Sequence, residues 1–220
     1  MGGVKILNQI LDIIYPPVCG FCGKLNKNSL CNKCKIRIEK NAIYKIEDYR
    51  ETTSFFDEHL YLFPYDGEIR EEILNYKFNE KSYLYRTFLE FIKNSEKICT
   101  QIKKYDIIMP IPISKKRMKQ RGYNQSTLIA KGISKMFNIE YKEKVLVKIK
   151  DNKPQSELGQ NERSINVQGA YKIKAQKQVF QKKILLIDDI FTTGNTANEC
   201  AKALKKNMAN NVGIFTIAKD

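Results

Sequence analysis

Two adjacent carboxylates and a short hydroxyl-rich loop stand together late in the chain. Asp188 and Asp189 follow an apolar run at 184–187, and a loop at 192–196 comes next. The apolar run predicts a buried strand, and the loop residues are typical of the start of a helix. Backbone N–H groups at a helix N-terminus bind phosphate with the help of the helix dipole. The predicted phosphate loop consists of Thr192, Thr193, Gly194, Asn195 and Thr196.

The two carboxylates suit a different part of the same ligand, because a carboxylate repels a phosphate. Asp188 and Asp189 can accept hydrogen bonds from a ribose 2′,3′-diol or organise a hydrated Mg²⁺ ion. Together with the loop, they predict a ribose 5-phosphate ligand. A purely structural role, in which threonine caps an Asp-rich strand end, explains one carboxylate but not the pair and the loop. The sequence contains neither GxxxxGK(S/T) nor GxGxxG, so it does not predict these NTP-binding or dinucleotide-binding loops.

Four cysteines near the N-terminus form two CxxC pairs. Cys19 and Cys22 are followed by Cys31 and Cys34. Each pair directs two thiolates towards one point, so the two pairs supply the tetrahedral ligand set of structural zinc. A disulfide framework is disfavoured without secretion, and a redox-active CxxC needs no second pair. The spacing therefore predicts a closed Zn²⁺ site that contributes to folding rather than to catalysis.

Positive charge is concentrated in one part of the chain. The net charge is +15, and residues 101–150 carry 13 Lys or Arg against 3 Asp or Glu. Such clustering is typical of proteins that bind a phosphate-bearing partner. The alternative is a lysine-rich background without a binding role, since Lys outnumbers Arg 32 to 7. The candidate contacts to nucleic acid or diphosphate are Lys115, Lys116, Arg117, Lys119 and Arg121.

Composition excludes several classes of protein. With 42% hydrophobic and 29% charged residues, the sequence is typical of a globular protein. No apolar run reaches the ~20 residues that cross a bilayer, so we expect no integral membrane association. The apolar stretch at 4–14 is followed by Tyr15-Pro16-Pro17 rather than by a small-residue cleavage site, which argues against a signal peptide and favours the cytoplasm. The single histidine, His59, argues against multi-histidine metal sites, and we expect it at the surface.

Apolar spacing predicts a small module followed by an α/β domain. The predicted strands are 59–63, 105–111, 144–149, 183–187 and 212–218, and the predicted helices are 4–14, 67–79, 82–97, 124–137 and 194–206. Alternating strands and helices predict a mostly parallel sheet flanked by helices. The expected domains are an N-terminal helix with the four-cysteine module at 1–45 and the α/β domain at 46–220. The isolated Cys99 and Cys200 are expected to be small buried residues.

Several motifs in series resemble the ComF family of bacterial competence proteins. The motif at 188–196 is similar to the phosphoribosyl diphosphate (PRPP) binding motif of type I phosphoribosyltransferases. The other matching residues are Tyr15-Pro16-Pro17 with the CxxC pairs, Pro110 and Pro112, Lys115-Lys116-Arg117, Arg121-Gly122-Tyr123-Asn124-Gln125, Gln155, Leu158, Arg163 and Asn166. The resemblance runs nearly from end to end. It implies a type I phosphoribosyltransferase fold with a small N-terminal zinc-binding module.

The resemblance also implies site roles. PRPP would place its 5-phosphate on Thr192–Thr196 and its ribose diol on Asp188 and Asp189, with Mg²⁺ bound alongside. Arg163 and the basic residues at 115–121 would neutralise the diphosphate, and the segment at 150–166 corresponds to the flexible loop that closes over PRPP. In an active enzyme the catalytic residues would be Asp188, Asp189 and Arg163.

Two main functions follow as hypotheses. The first is transfer of phosphoribosyl from PRPP to an acceptor that no residue set here identifies. The second, which the family implies, is handling of single-stranded DNA in natural transformation, with other competence or DNA-processing proteins as partners. In that case the basic cluster and the zinc module would contact DNA, and Tyr123 would either stack on a base or belong to the core. A household PRPP-binding protein without a role in competence is a third interpretation.

Overall fold

The computed structural model describes residues 18–150 and 168–220. The expected helix at 4–14, Arg163 and almost all of the expected loop at 150–166 lie outside the described residues. No helix in the described ranges is both long enough and apolar enough to span a bilayer.

Parallel strands form the centre of the molecule. The strands are β1 Lys45–Asp48, β2 Glu58–Pro64, β3 Ile107–Pro110, β4 Glu140–Tyr141, β5 Leu146–Lys148, β6 Tyr171–Ile173, β7 Lys183–Ile187, β8 Ile190–Phe191 and β9 Asn211–Lys219. One sheet has the order β1-β2-β9-β7-β3-β4, and β8 pairs with β9 just beyond the end of β7. Within it only β1 and β2 are antiparallel. β5 and β6 form a separate antiparallel pair.

Helices connect and cover these strands. They are α1 Asn32–Glu39, α2 Gly67–Phe78, α3 Leu84–Asn94, α4 Glu96–Ile102, α5 Lys115–Arg121, α6 Gln125–Phe137 and α7 Asn195–Lys206, with a short 3₁₀ turn at Gln176–Gln178. The expected single helix at 82–97 is wrong, because it is broken at Ser95. That residue is extended, and its hydroxyl accepts a hydrogen bond from the N–H of Ile98, which starts α4.

The sheet is buried on both faces. In β7, Leu185 and Ile187 pack in one apolar cluster with α2, α3 and α6, whereas Ile184 and Leu186 pack in a second cluster with α7. A strand covered on both sides must be apolar at every position, which explains the continuous apolar run in the sequence. The expected fold class, a mostly parallel sheet flanked by helices with a four-cysteine module before it, is confirmed.

His59 is the clearest correction to the sequence-based expectations. It is fully buried in β2 rather than at the surface, because β2 lies inside the sheet between β1 and β9. Its ring stacks on Phe191 and Tyr61 with centroids 4.2 and 4.9 Å apart, and Nε2 lies 2.8 Å from Oγ1 of Thr216. Burial lowers the pKa of His59 to about 3, so the imidazole is neutral at physiological pH.

The other differences between the sequence-based expectations and the structure are smaller. The expected connection at 41–58 contains β1, and the basic run at 115–121 forms α5, for which the sequence shows no apolar period. Cys200 is buried, as expected. Cys99 is only half-buried, with its thiol donating to the carbonyl of Ile92 at 3.2 Å.

Candidate functional site

The carboxyl edge of the parallel strands brings three segments together. β7 ends at Ile187, directly before Asp188 and Asp189, and β3 beside it leads into α5. Because parallel strands end at the same edge, ligands of such sheets bind there. The expected phosphate loop lies at this edge too, between β8 and α7.

The loop at 192–196 encloses an open cleft. The lining of this cleft includes Asp188, the five loop residues and Thr216. Gly194 precedes α7 with φ of 71°, a conformation that favours glycine. A Cβ atom at this position would lie 2.5 Å from the ring of Phe191. Glycine is therefore required both by the turn and by the aromatic ring packed beneath it.

Asp188 is held in a defined orientation at the edge of this cleft. Its Oδ1 accepts hydrogen bonds from the hydroxyl of Ser126 and from the backbone N–H of Asp189, each at 2.9 Å. Burial and, to a smaller extent, the neighbouring charge of Asp189 raise the pKa of Asp188, while Lys77 opposes the shift, so that the pKa is about 6. This carboxyl group can thus change its protonation state slightly below neutral pH.

Asp189 has a partner of its own. The ammonium of Lys77, at the end of α2, lies 2.9 Å from its Oδ1, and the two side chains are 17% and 9% exposed. The adjacent carboxylates therefore differ: Asp188 lines the cleft, whereas Asp189 forms an ion pair with the half-buried Lys77. Sequence reasoning missed Lys77, because the lysine reaches this edge only through the packing of α2.

The basic residues on α5 divide into two groups. Arg117 and Arg121, one helical turn apart, are half-buried on the same side of the helix, and the charges of Asp188 and Asp189 act on Arg121. Burial lowers the pKa of Arg121, and the charge of Asp189 acts against that shift. The exposed group consists of Lys115, Lys116 and Lys119. The helix thus offers two guanidinium groups to the site and three ammonium groups to solvent.

The Arg121–Gln125 motif connects α5, α6 and α2. Gly122 ends α5 with φ of 73°, and Asn124 caps α6 while its Nδ2 donates to the carbonyl of Ile111 at 3.0 Å. Gln125 accepts a hydrogen bond at 3.0 Å from Nη1 of Arg121, and its own Nε2 donates to the carbonyl of Lys77 at 3.4 Å. The motif therefore positions two of the cations at the site.

Tyr123 within this motif is a packing residue. Its ring lies 5.9 Å from that of Tyr76, and its hydroxyl donates to the backbone carbonyl of the same tyrosine. Of the two roles considered for Tyr123, the structure supports the core role rather than an exposed ring for base stacking.

The four N-terminal cysteines converge as expected. The sulfur atoms of Cys19, Cys22, Cys31 and Cys34 all lie within 4.8 Å of one another, and Cys22 and Cys31 are 3.9 Å apart. A Zn–S bond of about 2.3 Å gives a tetrahedral S–S edge of about 3.8 Å, so the set could hold a metal ion. Although burial raises the pKa of Cys19, hydrogen bonds from backbone N–H groups lower it to about 7 overall. These donors favour the thiolate form that a metal requires.

The cysteine module packs directly on the α/β body. Cys19 and Cys34 belong to the same apolar cluster as Phe88 of α3. The hydroxyl of Thr87 donates to the carbonyl of Ser29 at 2.8 Å, next to this contact. The module therefore shares the main core.

Relatives of the chain match most of its length. Competence protein F of Haemophilus influenzae is 25% identical over 214 residues, 95% of this chain and 93% of that protein. Competence protein ComFC of Streptococcus pneumoniae is 26% identical over 201 residues, 91% of this chain and 80% of that protein. Over most of its length the chain is therefore similar to competence proteins of the ComF type. DNA utilization protein YhgH of Escherichia coli K12 is 25% identical over 114 residues, 52% of this chain and 49% of that protein. No protein-family model matches.

Solved phosphoribosyltransferases superpose on parts of this chain. A hypoxanthine phosphoribosyltransferase from Staphylococcus aureus is 12% identical with a TM-score of 0.37, covering 64% of this chain and 65% of that one. A purine phosphoribosyltransferase from Pyrococcus horikoshii is 12% identical with a TM-score of 0.34, covering 56% and 77%. These superpositions are partial, and the α/β architecture of the chain rests on its own strand order.

Most of the residues singled out in the sequence gather at two places in the fold. Asp188, Asp189 and the loop at 192–196 share the carboxyl edge of the sheet, with Arg117 and Arg121 nearby. The four cysteines form the second place. The residues that sequence reasoning missed are Lys77 and Ser126, for which no local pattern in the sequence gives a signal.

Proposed function

We propose that this protein is a ComF-type competence protein, which binds PRPP with Mg²⁺ at the cleft beside Asp188 and handles single-stranded DNA in natural transformation. The observation that carries the proposal is one cleft lined by a carboxylate and by the N-terminal loop of α7. The names of the relatives, which refer to competence and DNA utilization, support the biological role.

The chemistry of the cleft suits the two ends of a ribose 5-phosphate. Backbone N–H groups and threonine hydroxyls of the 192–196 loop would bind the 5-phosphate. Asp188, oriented by Ser126, would accept hydrogen bonds from the ribose diol. Mg²⁺ prefers carboxylate and phosphate oxygens, so Asp188 and Asp189 fit as its protein partners, and the ion would neutralise diphosphate charge.

Calorimetry tests the PRPP site. The wild-type protein is titrated with PRPP in the presence of Mg²⁺, beside the double variant Asp188→Asn, Asp189→Asn. We expect binding by the wild type and none by the double variant, because both carboxylates are replaced by neutral amides. Asp66→Asn is the matched control, since Asp66 is exposed and makes no capping hydrogen bond. Equal affinity of the double variant and the wild type would overturn the assignment.

Phosphoribosyl transfer is the second candidate function. It is favoured by the half-buried Arg121, on which the charges of both carboxylates act, and by Arg117 on the same side of α5, since both could neutralise a leaving diphosphate. The catalytic residues proposed for this reaction are Asp188, Asp189 and Arg163. Release of pyrophosphate in the presence of a candidate acceptor would identify the protein as an enzyme. If no acceptor causes release of pyrophosphate, a PRPP-responsive binding protein is favoured.

The cysteine cluster is proposed to bind structural Zn²⁺. Four thiolates with a tetrahedral spacing fit this ion, which would cross-link the N-terminal module without taking part in a reaction. Metal analysis of the purified protein is expected to give one Zn²⁺ per chain, lost in Cys19→Ser.

A further inference from the structure

Phe78 is an exposed aromatic residue close to the carboxylate site. It is the last residue of α2, directly after Lys77, and 63% of its surface is accessible to solvent. Large aromatic side chains are normally buried, so this degree of exposure marks the position as unusual. The neighbouring Lys77 is anchored to Asp189 at 2.9 Å, so the backbone that carries the ring is firmly attached to the edge of the sheet.

A cation lies directly over this ring. The guanidinium carbon of Arg121 is 4.9 Å from the ring centroid of Phe78, and Nη1 of the same arginine is fixed by Gln125 at 3.0 Å. A planar guanidinium beside an aromatic ring is the arrangement on which unpaired bases stack. The remaining exposed surface of the ring leaves room for such a partner.

The surroundings of the Phe78 ring carry positive charge, which the phosphates of a nucleic acid strand require for binding. Arg121 ends α5, the helix whose solvent side bears Lys115, Lys116 and Lys119. A single strand combines flat bases with a phosphate on every nucleotide, and it therefore matches an aromatic ring next to a row of lysines. A duplex keeps its bases stacked inside and could use only the lysines.

We propose that Phe78 and Arg121 form a stacking site for one unpaired base of a single strand whose phosphates lie along α5. This inference rests on the proposed function in DNA handling and assigns it a specific place beside the carboxylate cleft. It also implies that the strand and PRPP approach the protein at neighbouring positions, with Arg121 between them.

Fluorescence anisotropy with a labelled oligothymidylate tests the site. We expect Phe78→Ala to weaken binding roughly 5- to 100-fold, as for loss of one base stack, and Phe78→Tyr and Phe78→Trp to bind within a few-fold of wild type. The slope of log K against log salt concentration should not change in Phe78→Ala, because no phosphate contact is lost. Phe180→Ala is the matched control: Phe180 is 47% exposed but precedes β7, at the opposite edge of the sheet.

A strand of the same length without bases separates stacking from other effects. Wild type and Phe78→Ala should bind this abasic strand equally, and thermal unfolding should show that both proteins are folded. Equal binding of oligothymidylate by the two proteins, or an equal loss with the abasic strand, would overturn the stacking site. Failure of the wild type to bind any strand would count against the proposed DNA function itself.

Discussion

At the scale of single residues, the site contains a buried carboxylate, Asp188, whose negative charge opposes folding. Asp188 is an acid whose burial raises its pKa to about 6, although Ser126 orients it well. Groups with such shifted pKa values cluster at functional sites, because binding requires a charge that folding alone does not favour. Replacement of this carboxylate should therefore have opposite effects on stability and on ligand binding.

Asp188→Asn should stabilise the protein above about pH 6. The folded chain holds the Asp188 proton more tightly than the unfolded chain, where the pKa is near 3.8. The free energy of unfolding of the wild type therefore falls as the pH rises between these two values, and the variant lacks this loss. Thermal unfolding of both proteins from about pH 4 to about pH 8 checks the prediction. A difference in midpoint that does not vary with pH would contradict it.

The pair of Lys77 and Asp189 should stabilise the fold only while both partners are present. Lys77→Met leaves a buried carboxylate without a counter-charge, so we expect a loss of about 3 kcal/mol in the free energy of unfolding. The double variant Lys77→Met, Asp189→Asn should recover part of this loss, which urea unfolding measures.

The control for this pair is on the surface. Lys93→Met removes an ion pair with Glu90 whose side chains are 52% and 37% exposed, and it should change stability by less than about 1 kcal/mol. If Lys77→Met has an equally small effect, the buried pair is not a structural requirement.

At the scale of elements, α5 turns a uniform basic run into two functional faces. Residues spaced four apart share one side of a helix, so Arg117 lies with Arg121 on the half-buried side of α5, while the lysines face solvent. The net charge of the run therefore does not describe its role, because one face suits a diphosphate and the other a strand of nucleic acid.

Variants of α5 should separate these two roles. Arg117→Gln should weaken PRPP binding about 10-fold, because a half-buried charge-assisted contact is lost. The triple variant Lys115→Gln, Lys116→Gln, Lys119→Gln should affect PRPP less but should flatten the salt dependence of single-strand binding by about 2 in slope. Calorimetry and anisotropy at several salt concentrations measure both effects. Identical profiles for the two variants would show that the faces do not act separately.

At the scale of the whole molecule, we expect the cysteine module and the α/β body to unfold as one unit. Cys19 and Cys34 pack in the cluster that contains Phe88, and a Cβ atom at Gly20 would lie 2.3 Å from Oγ1 of Thr87. Such close packing couples metal binding to the main core. The domain boundary near residue 45 remains a sequence-based prediction.

Loss of the metal should therefore destabilise more than the module. We expect Cys34→Ser, or treatment with a chelator, to lower the thermal midpoint and to increase hydrogen exchange in α3 as well as in α1. Cys99→Ser is the matched control, because Cys99 lies outside the metal cluster. If exchange increases in the module while α3 stays protected, the two parts unfold independently.

The sequence by itself determined the features that depend on neighbouring residues. The apolar run at 184–187 with its carboxylates and loop, the two CxxC pairs and the main alternation of strands and helices could be predicted, because each depends on a short stretch of chain. The strand β1, the helix α5 and the break at Ser95 were not predicted. The tertiary structure alone decided that His59 is buried, that Lys77 neutralises Asp189 and that Phe78 stands exposed beside Arg121. These relations join segments that are distant in sequence, and no local pattern can encode contacts created only when α2, α5 and the sheet pack together.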